Sequence, residues 1–295
     1  MIVALPELPD LTVYLESLAA RIANRRLLHV RLLNPFLLRT AVPPVRLVEG
    51  KTVLGLGRLG KRIVIGLEED LYLVLHLMVA GRLRWDEKTP RRITLAHFEF
   101  DSGTLALTEA GTRRRASLHV VQGKAALDAL DPGGLEVQGL DQAAFAERLK
   151  SENHTLKKAL TDPRLFAGIG NAYSDEILHR ARLSPIAMSR TLSEPDVARL
   201  HQAVGEVLRE WTDRLRRQAG TKFPEKVTAF RQEMAVHGKY GKPCPVCGAP
   251  VQRIVYAENE TNYCASCQTG GRILADRALS RLLKKSWPRS LEELE

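Results

Sequence analysis

Four cysteines in the last quarter of the chain constrain its fold more than any other feature of the sequence. They form two pairs, Cys244-Pro-Val-Cys247 and Cys264-Ala-Ser-Cys267, which are separated by sixteen residues. A Cys-X-X-Cys turn aims two thiolates at one ion, and four thiolates suit the tetrahedral geometry of zinc. The spacing therefore predicts one structural zinc ion. Because cysteines fill all four positions, the ion is not expected to take part in catalysis.

The residues between the two cysteine pairs predict a zinc ribbon. Residues 251–264 are typical of two strands around a turn at Glu258-Asn259-Glu260, and Gly248 can take the positive φ that a metal-binding turn often needs. Four unrelated cysteines, or a redox-active pair, are the alternatives. Two Cys-X-X-Cys pairs at this spacing are typical of a metal site, so these two alternatives fit the sequence less well.

Upstream of the cysteines, the pattern of apolar residues changes from β-type to helical. Residues 11–26 predict a helix, and the short runs between residues 28 and 121 predict an antiparallel sandwich or barrel. Asp131-Pro-Gly-Gly134 is typical of a hinge between domains. The segments after it predict helices over residues 145–160, 171–183, 194–218 and, in a basic stretch after the cysteines, 273–287.

The composition favours an anionic partner. The 295 residues include 44 Lys and Arg against 34 Asp and Glu, which gives a formal net charge of +10. Such an excess attracts polyanions, of which nucleic acid is the commonest, although a solvated cationic surface is the alternative. No apolar run has the length of a membrane helix. The first residues lack a basic leader, so we expect no membrane association and a cytoplasmic location.

A glycine loop at residues 165–170 is a candidate phosphate site. It precedes a predicted helix, with Asn171 suited to the N-cap, and backbone N–H groups at such a position can bind an anion. An ordinary turn between two helices is the alternative reading. Lys157 and Lys158, on the preceding helical segment, favour phosphate binding.

Five motifs occur along the chain in one order. They are Pro6-Glu7-Leu8-Pro9-Asp10, a lysine turn at residues 58–62, residues 76–83, residues 168–178 and the two cysteine pairs. Together they resemble the formamidopyrimidine-DNA glycosylase/endonuclease VIII family of DNA repair enzymes, over about residues 6 to 268. The Leu-Pro that follows Pro6-Glu7 is closer to the formamidopyrimidine branch.

This resemblance implies a catalytic mechanism. In the family, a proline at the mature N-terminus attacks C1′ of the damaged nucleotide and forms a Schiff base. By match, Pro6 is the nucleophile and Glu7 is the acid that protonates the departing sugar oxygen. Lys61 would lie near the phosphates of the lesion, and Glu176 matches a further acidic position. Successive β- and δ-elimination would then cleave the strand.

The resemblance also implies the residues that contact DNA. Lys157, Gly170 and Asn171 would hold the backbone at the lesion. Val79, or Met78 after a slip of one position, would be the wedge that fills the gap left by the flipped base.

Several parts of the chain differ from the family pattern, and two of them, the wedge and the loop that covers the flipped base, are where the family distinguishes one lesion from another, so the choice of lesion stays open. Arg113 would face the orphaned base, but Arg115 stands where the family has a stacking phenylalanine. Asn259 replaces the arginine that grips a phosphate in the zinc hairpin, and Arg253 is a candidate to compensate. The loop that covers the flipped base would lie near residues 220–223 and is short.

The first five residues conflict with the implied mechanism, because the nitrogen of Pro6 lies in a peptide bond and cannot attack. Either the protein has no lyase activity, or translation starts at the codon of Leu5. We favour the second interpretation, since removal of the initiator methionine would then expose the amine of Pro6.

These inferences predict an α+β multidomain fold. An N-terminal catalytic domain, a helix plus an antiparallel β-sandwich, would span residues 1–130. A helix–two-turn–helix domain would span residues 131–236, a zinc hairpin residues 237–270 and a basic helical extension residues 271–295. We expect a monomeric bifunctional DNA glycosylase and abasic-site lyase that binds double-stranded DNA with a damaged base or abasic site, in the cleft between the two main domains.

Two other functions remain open on the sequence alone. One is a noncatalytic binder of damaged or nicked DNA built on the same scaffold. The other is a zinc-ribbon nucleic-acid module with no role in repair, against which the ordered motifs argue.

Overall fold

The computed structural model describes residues 5–86, 88–111, 113–224, 231–256, 259–275 and 289–294. The chain divides into two compact units. The first contains residues 1–132 and 211–229, and the second contains residues 133–210 and 230–295. The division after Pro132 falls within the hinge predicted at residues 131–134. Within the part described, no helix is long and apolar enough to cross a membrane.

The described part of the first unit contains two α-helices and eight strands, besides the end of a helix that begins in the second unit. They are α1 (Leu8–Ile22), β1 (Leu27–Leu32), β2 (Val53–Leu59), β3 (Arg62–Leu67), β4 (Leu71–His76), β5 (Gly81–Trp85), β6 (Thr94–Phe100), β7 (Gly103–Glu109), β8 (Ser117–Gln122) and α2 (Lys124–Asp128). The strands form two four-stranded antiparallel sheets, in the orders β1-β6-β7-β5 and β2-β3-β4-β8. The predicted N-terminal helix and antiparallel sandwich are therefore confirmed.

Alternation along the strands builds the core of this unit. On β3, Ile63 and Ile65 belong to one apolar cluster that draws on both sheets and on α1, whereas Val64 belongs to a second cluster with Leu127 of α2. Successive side chains of a strand point to opposite faces, so one face packs in the sandwich and the other beneath α2.

Helix α1 begins three residues earlier than the apolar spacing predicts. Glu7 is its N-cap, and Pro9 lies in the first turn, where a residue without an N–H group costs no hydrogen bond. Asp10 is the third residue of the helix, and its carboxylate accepts the backbone N–H of Glu7 at 3.1 Å.

The described part of the second unit is helical, with four short strands that form two two-stranded sheets. Its elements are β9 (Leu135–Glu136), α3 (Gln142–Ser151), α4 (Leu156–Thr161), β10 (Phe166–Ala167), α5 (Asn171–Arg180), α6 (Glu194–Ala219), β11 (Val251–Tyr256), β12 (Asn259–Cys264) and α7 (Ala265–Thr269). β9 and β10 pair in parallel, and β11 and β12 form the antiparallel hairpin predicted for the zinc ribbon. Residues 276–288, which include most of the predicted basic helix, lie outside the described residues.

Two features of the second unit differ from the sequence prediction. The helix expected over residues 145–160 is two helices, because Thr155 starts α4 as an N-cap whose hydroxyl accepts the N–H of Lys158. The last part of α6, from Trp211, groups with the first unit rather than with the predicted domain of residues 131–236. Arg216, in that part, pairs with Glu16 of α1 at 2.6 Å.

Candidate functional site

Pro6 and Glu7 are held at the start of α1. Both are buried, and Glu7 is only 1% exposed. The N–H of Glu7 donates to Asp10, and the carbonyl of Glu7 accepts the N–H of Leu11 at 2.9 Å. These two bonds fix the backbone of Glu7, and with it the position of the adjoining Pro6, relative to the helix.

Lys61 lies in the turn between β2 and β3, next to a histidine that sequence reasoning did not select. His76, at the end of β4, pairs in register with Arg62. Burial, and then the charges of Arg62 and Lys61, lower the pKa of His76 to about 4. Nδ1 of His76 accepts the N–H of Met78 at 3.2 Å, so the neutral ring carries its proton on Nε2.

The group around Lys61 therefore combines two cationic side chains, Lys61 and Arg62, with one neutral imidazole, and the guanidinium of Arg62 donates to the carbonyl of Leu130 at 2.6 Å. The available sequence signal for His76 was its place at the end of a strand, three residues before the predicted wedge. Nothing in the chain's periodicity distinguishes it from a core histidine.

The predicted wedge lies in a tight turn between β4 and β5. Val79 is 37% exposed, and Met78 has a positive φ of 50°. Gly81 donates its N–H to the carbonyl of Leu77, and a Cβ on Gly81 would lie 2.1 Å from that oxygen, so only glycine fits. The guanidinium of Arg82 donates to the carbonyls of Val79, at 3.1 Å, and Gly81, at 2.6 Å. This turn presents an apolar side chain to solvent on a fixed backbone.

The loop that carries Arg113 is anchored by a buried carboxylate. Glu109, at the end of β7, is 2% exposed and accepts the N–H of Arg115 at 2.9 Å and that of Ala116 at 3.0 Å. Arg113, Arg114 and Arg115 are all exposed. These two bonds fix the backbone at the C-terminal end of the arginine run, although the three arginine side chains are on the surface.

In the second unit, the glycine loop leads directly into α5. Gly170 is the N-cap, with φ −130° and ψ −156°, and Asn171 is the first residue of the helix, one position beyond the cap role expected for it. The side-chain amide of Asn171 donates to the backbone carbonyl of Glu260 in β12 at 2.9 Å. Asn171 thus ties the start of α5 to the zinc hairpin.

Lys157 contacts the first two turns of α5. Its ammonium group donates to the carbonyl of Asn171 at 2.7 Å, to the hydroxyl of Ser174 at 2.9 Å and to the carboxylate of Asp175 at 2.5 Å. Asp175 is fully buried, and its other oxygen contacts Nδ1 of His237 at 2.7 Å. Lys157 therefore stabilises the helix start, and a direct bond from it to a DNA phosphate stays a prediction.

Glu176 braces the chain in this structure. It is 6% exposed, and its two oxygens accept the N–H groups of Ala235, Val236 and His237 at 2.8 to 2.9 Å. Burial raises the pKa of Glu176, and these three donors oppose that rise. The carboxylate fixes the segment that leads into the first cysteine pair.

The four cysteines form a cluster in which every sulfur lies within 4.8 Å of the others. The sulfurs of Cys244 and Cys267 are 3.9 Å apart, and those of Cys247 and Cys264 are 3.4 Å apart. Tetrahedral zinc with Zn–S bonds of about 2.3 Å requires sulfurs about 3.8 Å apart, so the cluster fits the ion.

The protonation of the thiols also favours a cation at the centre of the cluster. Burial and the neighbouring sulfurs raise the pKa of Cys264, and they raise that of Cys267 to about 11. Burial also raises the pKa of Cys247, but hydrogen bonds from the N–H of Ala249 and from neighbouring side chains outweigh it and lower that pKa to about 7. Four thiolates cannot gather here without a positive charge to balance them, and zinc supplies it when bound. The φ of 78° at Gly248 gives the first pair the turn predicted for it.

Asn259 is the first residue of β12, where it pairs with Tyr256, and its side chain lies outside the described residues. Arg253 of β11 is 42% exposed in its side chain. Its guanidinium lies 4.2 Å from the ring centre of Tyr240 and 3.3 Å from Glu260. The aromatic ring and the carboxylate hold this arginine in place on the surface of the hairpin.

A second group of possible metal ligands flanks α4, with Glu152 and His154 before the helix and Asp162 after it. The ligand atoms of Glu152, His154 and Asp162 lie within 4.8 Å of one another. Arg164 already donates to both oxygens of Asp162, at 3.1 and 2.7 Å. Since that guanidinium supplies the balancing charge, we assign no metal to this group.

Family models account for most of the chain. The formamidopyrimidine-DNA glycosylase N-terminal domain matches residues 5–118, and the H2TH domain of the same enzyme matches residues 130–221. A zinc finger found in FPG and IleRS matches residues 241–270. The three matches follow the order of the sandwich, the helical segments and the cysteine cluster.

Individual proteins match over nearly the full length. The formamidopyrimidine-DNA glycosylase of Variovorax paradoxus is 34% identical over 275 residues, which cover 90% of this chain and 100% of that protein. The crystal structure of the MutM (Fpg) protein from Thermus thermophilus has a TM-score of 0.77 at 34% identity, covering 89% of this chain and 98% of that one. A complex between Lactococcus lactis Fpg and DNA containing an abasic site has a TM-score of 0.78 at 25% identity, covering 89% and 99%.

A helix-plus-sandwich unit followed by a helical unit with a four-cysteine zinc hairpin is the architecture of a DNA repair glycosylase. The full-length matches make the assignment specific. This chain belongs to the formamidopyrimidine-DNA glycosylase family, and it carries one structural zinc ion.

Proposed function

We propose that this protein is a bifunctional DNA glycosylase and abasic-site lyase that removes an oxidised or ring-opened base through a Schiff base at Pro6. The observation that carries the proposal is the placement of Pro6 and Glu7, both buried and fixed by Asp10 at the start of α1. Val79 and Arg113 lie on a turn and a loop that hydrogen bonds anchor, and Gly170 and Asn171 lie at the start of α5.

The chemistry requires a free amine at Pro6. The neutral amine attacks C1′, the bond from C1′ to the damaged base breaks, and the base leaves with a proton. Glu7 protonates the sugar-ring oxygen as the ring opens, which leaves a cationic iminium between Pro6 and C1′. Loss of a proton from C2′ expels the 3′ phosphate, a second elimination expels the 5′ phosphate, and hydrolysis of the iminium frees the enzyme.

A mature protein that begins at Pro6 is part of this proposal. Initiation at the codon of Leu5 and removal of the methionine would produce it, and residues 1–4 lie outside the described residues. The intact mass of the protein expressed from its own gene would test this step. A mass that includes Ile2 to Leu5 would contradict it.

The DNA is proposed to be double-stranded and to contain the damaged base or the abasic site. Related solved structures hold DNA that contains an abasic site, in a complex of Lactococcus lactis Fpg, or carbocyclic 8-oxo-G, in a complex of MutM. Lys61, Lys157, Gly170, Asn171 and Asn259 would contact the backbone. Val79 would enter the stack, and Arg113 would face the orphaned base.

Trapping with borohydride tests the reaction directly. Protein that begins at Pro6, mixed with DNA containing 8-oxoguanine or an abasic site, is expected to form a covalent adduct that borohydride makes permanent. Glu7→Gln should lose base excision but retain trapping at a preformed abasic site, because the open-chain aldehyde of that site condenses with the amine of Pro6 without the ring opening that Glu7 assists. An adduct that survives Pro6→Gly unchanged, or the absence of any adduct, would overturn the proposal; salt-sensitive binding without trapping would indicate a noncatalytic DNA binder.

A further inference from the structure

Three polar side chains at regular spacing join α5 to the zinc hairpin. Asn171, Asp175 and His179 are separated by four residues each, so they lie along one face of the helix. The first donates to the carbonyl of Glu260, and the second accepts the N–H of Asn262 at 3.1 Å. The third, His179, contacts the predicted zinc ligand Cys244.

His179 lies against the sulfur of Cys244. Its Nε2 is 3.3 Å from that sulfur, and the two residues are only 6% and 2% exposed. Four cysteines already complete the coordination of zinc, so His179 is not needed as a ligand. A thiolate can only accept a hydrogen bond, so this contact requires the proton of the imidazole to be on Nε2.

We propose that His179 is a positioning residue of the zinc site, which donates its Nε2–H to the thiolate of Cys244 and so connects the bound ion to α5. This role goes beyond the proposed function, because it concerns how the metal is held rather than what the enzyme cleaves. Zinc bound by four thiolates carries a net charge of −2, and donors to the sulfurs spread that charge. Cys264 receives such a bond from the N–H of Cys267 at 3.4 Å, and Cys244 receives its own from His179.

The rate of zinc release measures this role without reference to activity. Zinc-loaded full-length protein is mixed with a chelator whose absorbance reports the metal. His179→Phe keeps an aromatic ring in the space but removes the donor, and we expect zinc to leave about 10- to 100-fold faster. His179→Gln, which retains an N–H group of similar reach, should recover part of the difference.

His201 provides a matched control. It is a second histidine of the same unit whose Nε2 also contacts an acceptor, the carbonyl of Leu140 at 2.7 Å, rather than a thiolate. His201→Phe should release zinc at the rate of the wild type. Equal rates for the His179→Phe and His201→Phe proteins would overturn the proposal, whether both were fast or both unchanged.

A measurement on the unaltered protein covers the case in which the His179 variant does not fold. Nitrogen-15 NMR of the imidazole in full-length protein loaded with cadmium-113 reports the tautomer directly. The proposal expects a proton on Nε2 of His179 that is coupled to cadmium through the sulfur of Cys244. A ring whose proton resides on Nδ1 would overturn it.

Discussion

Asp175 is the buried charge on which the start of α5 depends, and its replacement by asparagine should be costly. The carboxylate is fully buried and accepts from Lys157 at 2.5 Å, His237 at 2.7 Å and the N–H of Asn262 at 3.1 Å. Asparagine keeps the size and one acceptor but not the charge. The ammonium of Lys157, whose side chain is 13% exposed, would then lack its counter-ion.

The expected magnitude follows from the burial of that ion pair. Removing one partner of a buried pair costs about 3–5 kcal/mol, because the other charge is left uncompensated. At about 1.4 kcal/mol for each factor of ten, opening of α5 should become about 10²- to 10⁴-fold more frequent. Hydrogen–deuterium exchange of peptides from residues 171–180, with zinc in excess, measures that opening.

Asp162 supplies the control for this prediction. It pairs with Arg164, whose side chain is 60% exposed, so Asp162→Asn should cost no more than about 1 kcal/mol. Adding Lys157→Met to Asp175→Asn should restore part of the protection, since the double variant buries no unpaired charge. Equal loss of protection in the two aspartate variants, or no recovery in the double variant, would refute the electrostatic argument.

Three further predictions concern other parts of the chain. The folded pKa of His76, about 4, lies below its usual 6.5, so the stability that this histidine contributes above pH 6.5 is lost as the pH falls towards 4. Between pH 7 and pH 5, the free energy of unfolding measured in urea should therefore fall by about 2 kcal/mol more for the wild type than for His76→Gln. Gly81→Ala should lower the melting temperature because its Cβ would meet the carbonyl of Leu77, whereas Gly205→Ala, which meets nothing within 4 Å, should not. Chelation of zinc should increase hydrogen exchange in residues 236–264, whose small core includes Cys244 and Cys264, and should leave the sandwich strands unchanged.

The sequence predicted the sandwich and the zinc hairpin because both depend on short-range patterns. Alternation such as Ile63-Val64-Ile65 gives each strand its inner and outer face before any partner strand is known. The cysteine pairs likewise carry their geometry in their spacing, and the sulfur distances agree with it.

Contacts between distant residues could not be predicted in the same way. Lys157 was expected to bind a phosphate, but the sequence gives no sign that Asp175 would bury itself beside that ammonium. The pairing of Arg216 with Glu16, 200 positions apart, similarly joins the end of α6 to the first unit. Such contacts depend on how whole helices pack, and residue spacing does not encode that packing.

The break between α3 and α4 shows a local limit of the same kind. Periodicity continues through residues 145–160, and the outcome depends on whether Thr155 caps a new helix or continues the old one. A contact from outside the segment accompanies the break, because the hydroxyl of Ser189 donates to the carbonyl of Glu152 at 2.8 Å.

The position of Pro6 immediately before α1 has an electrostatic consequence for the proposed nucleophile. The first turn of a helix carries the equivalent of about half a positive charge, which repels a cation placed there. In a protein that begins at Pro6, this field and the burial of the residue would both lower the proton affinity of the secondary amine. The amine would then spend a larger share of its time unprotonated, which is the form that can react with C1′. Helix α1 would thus act on the reactivity of the amine as well as on its position.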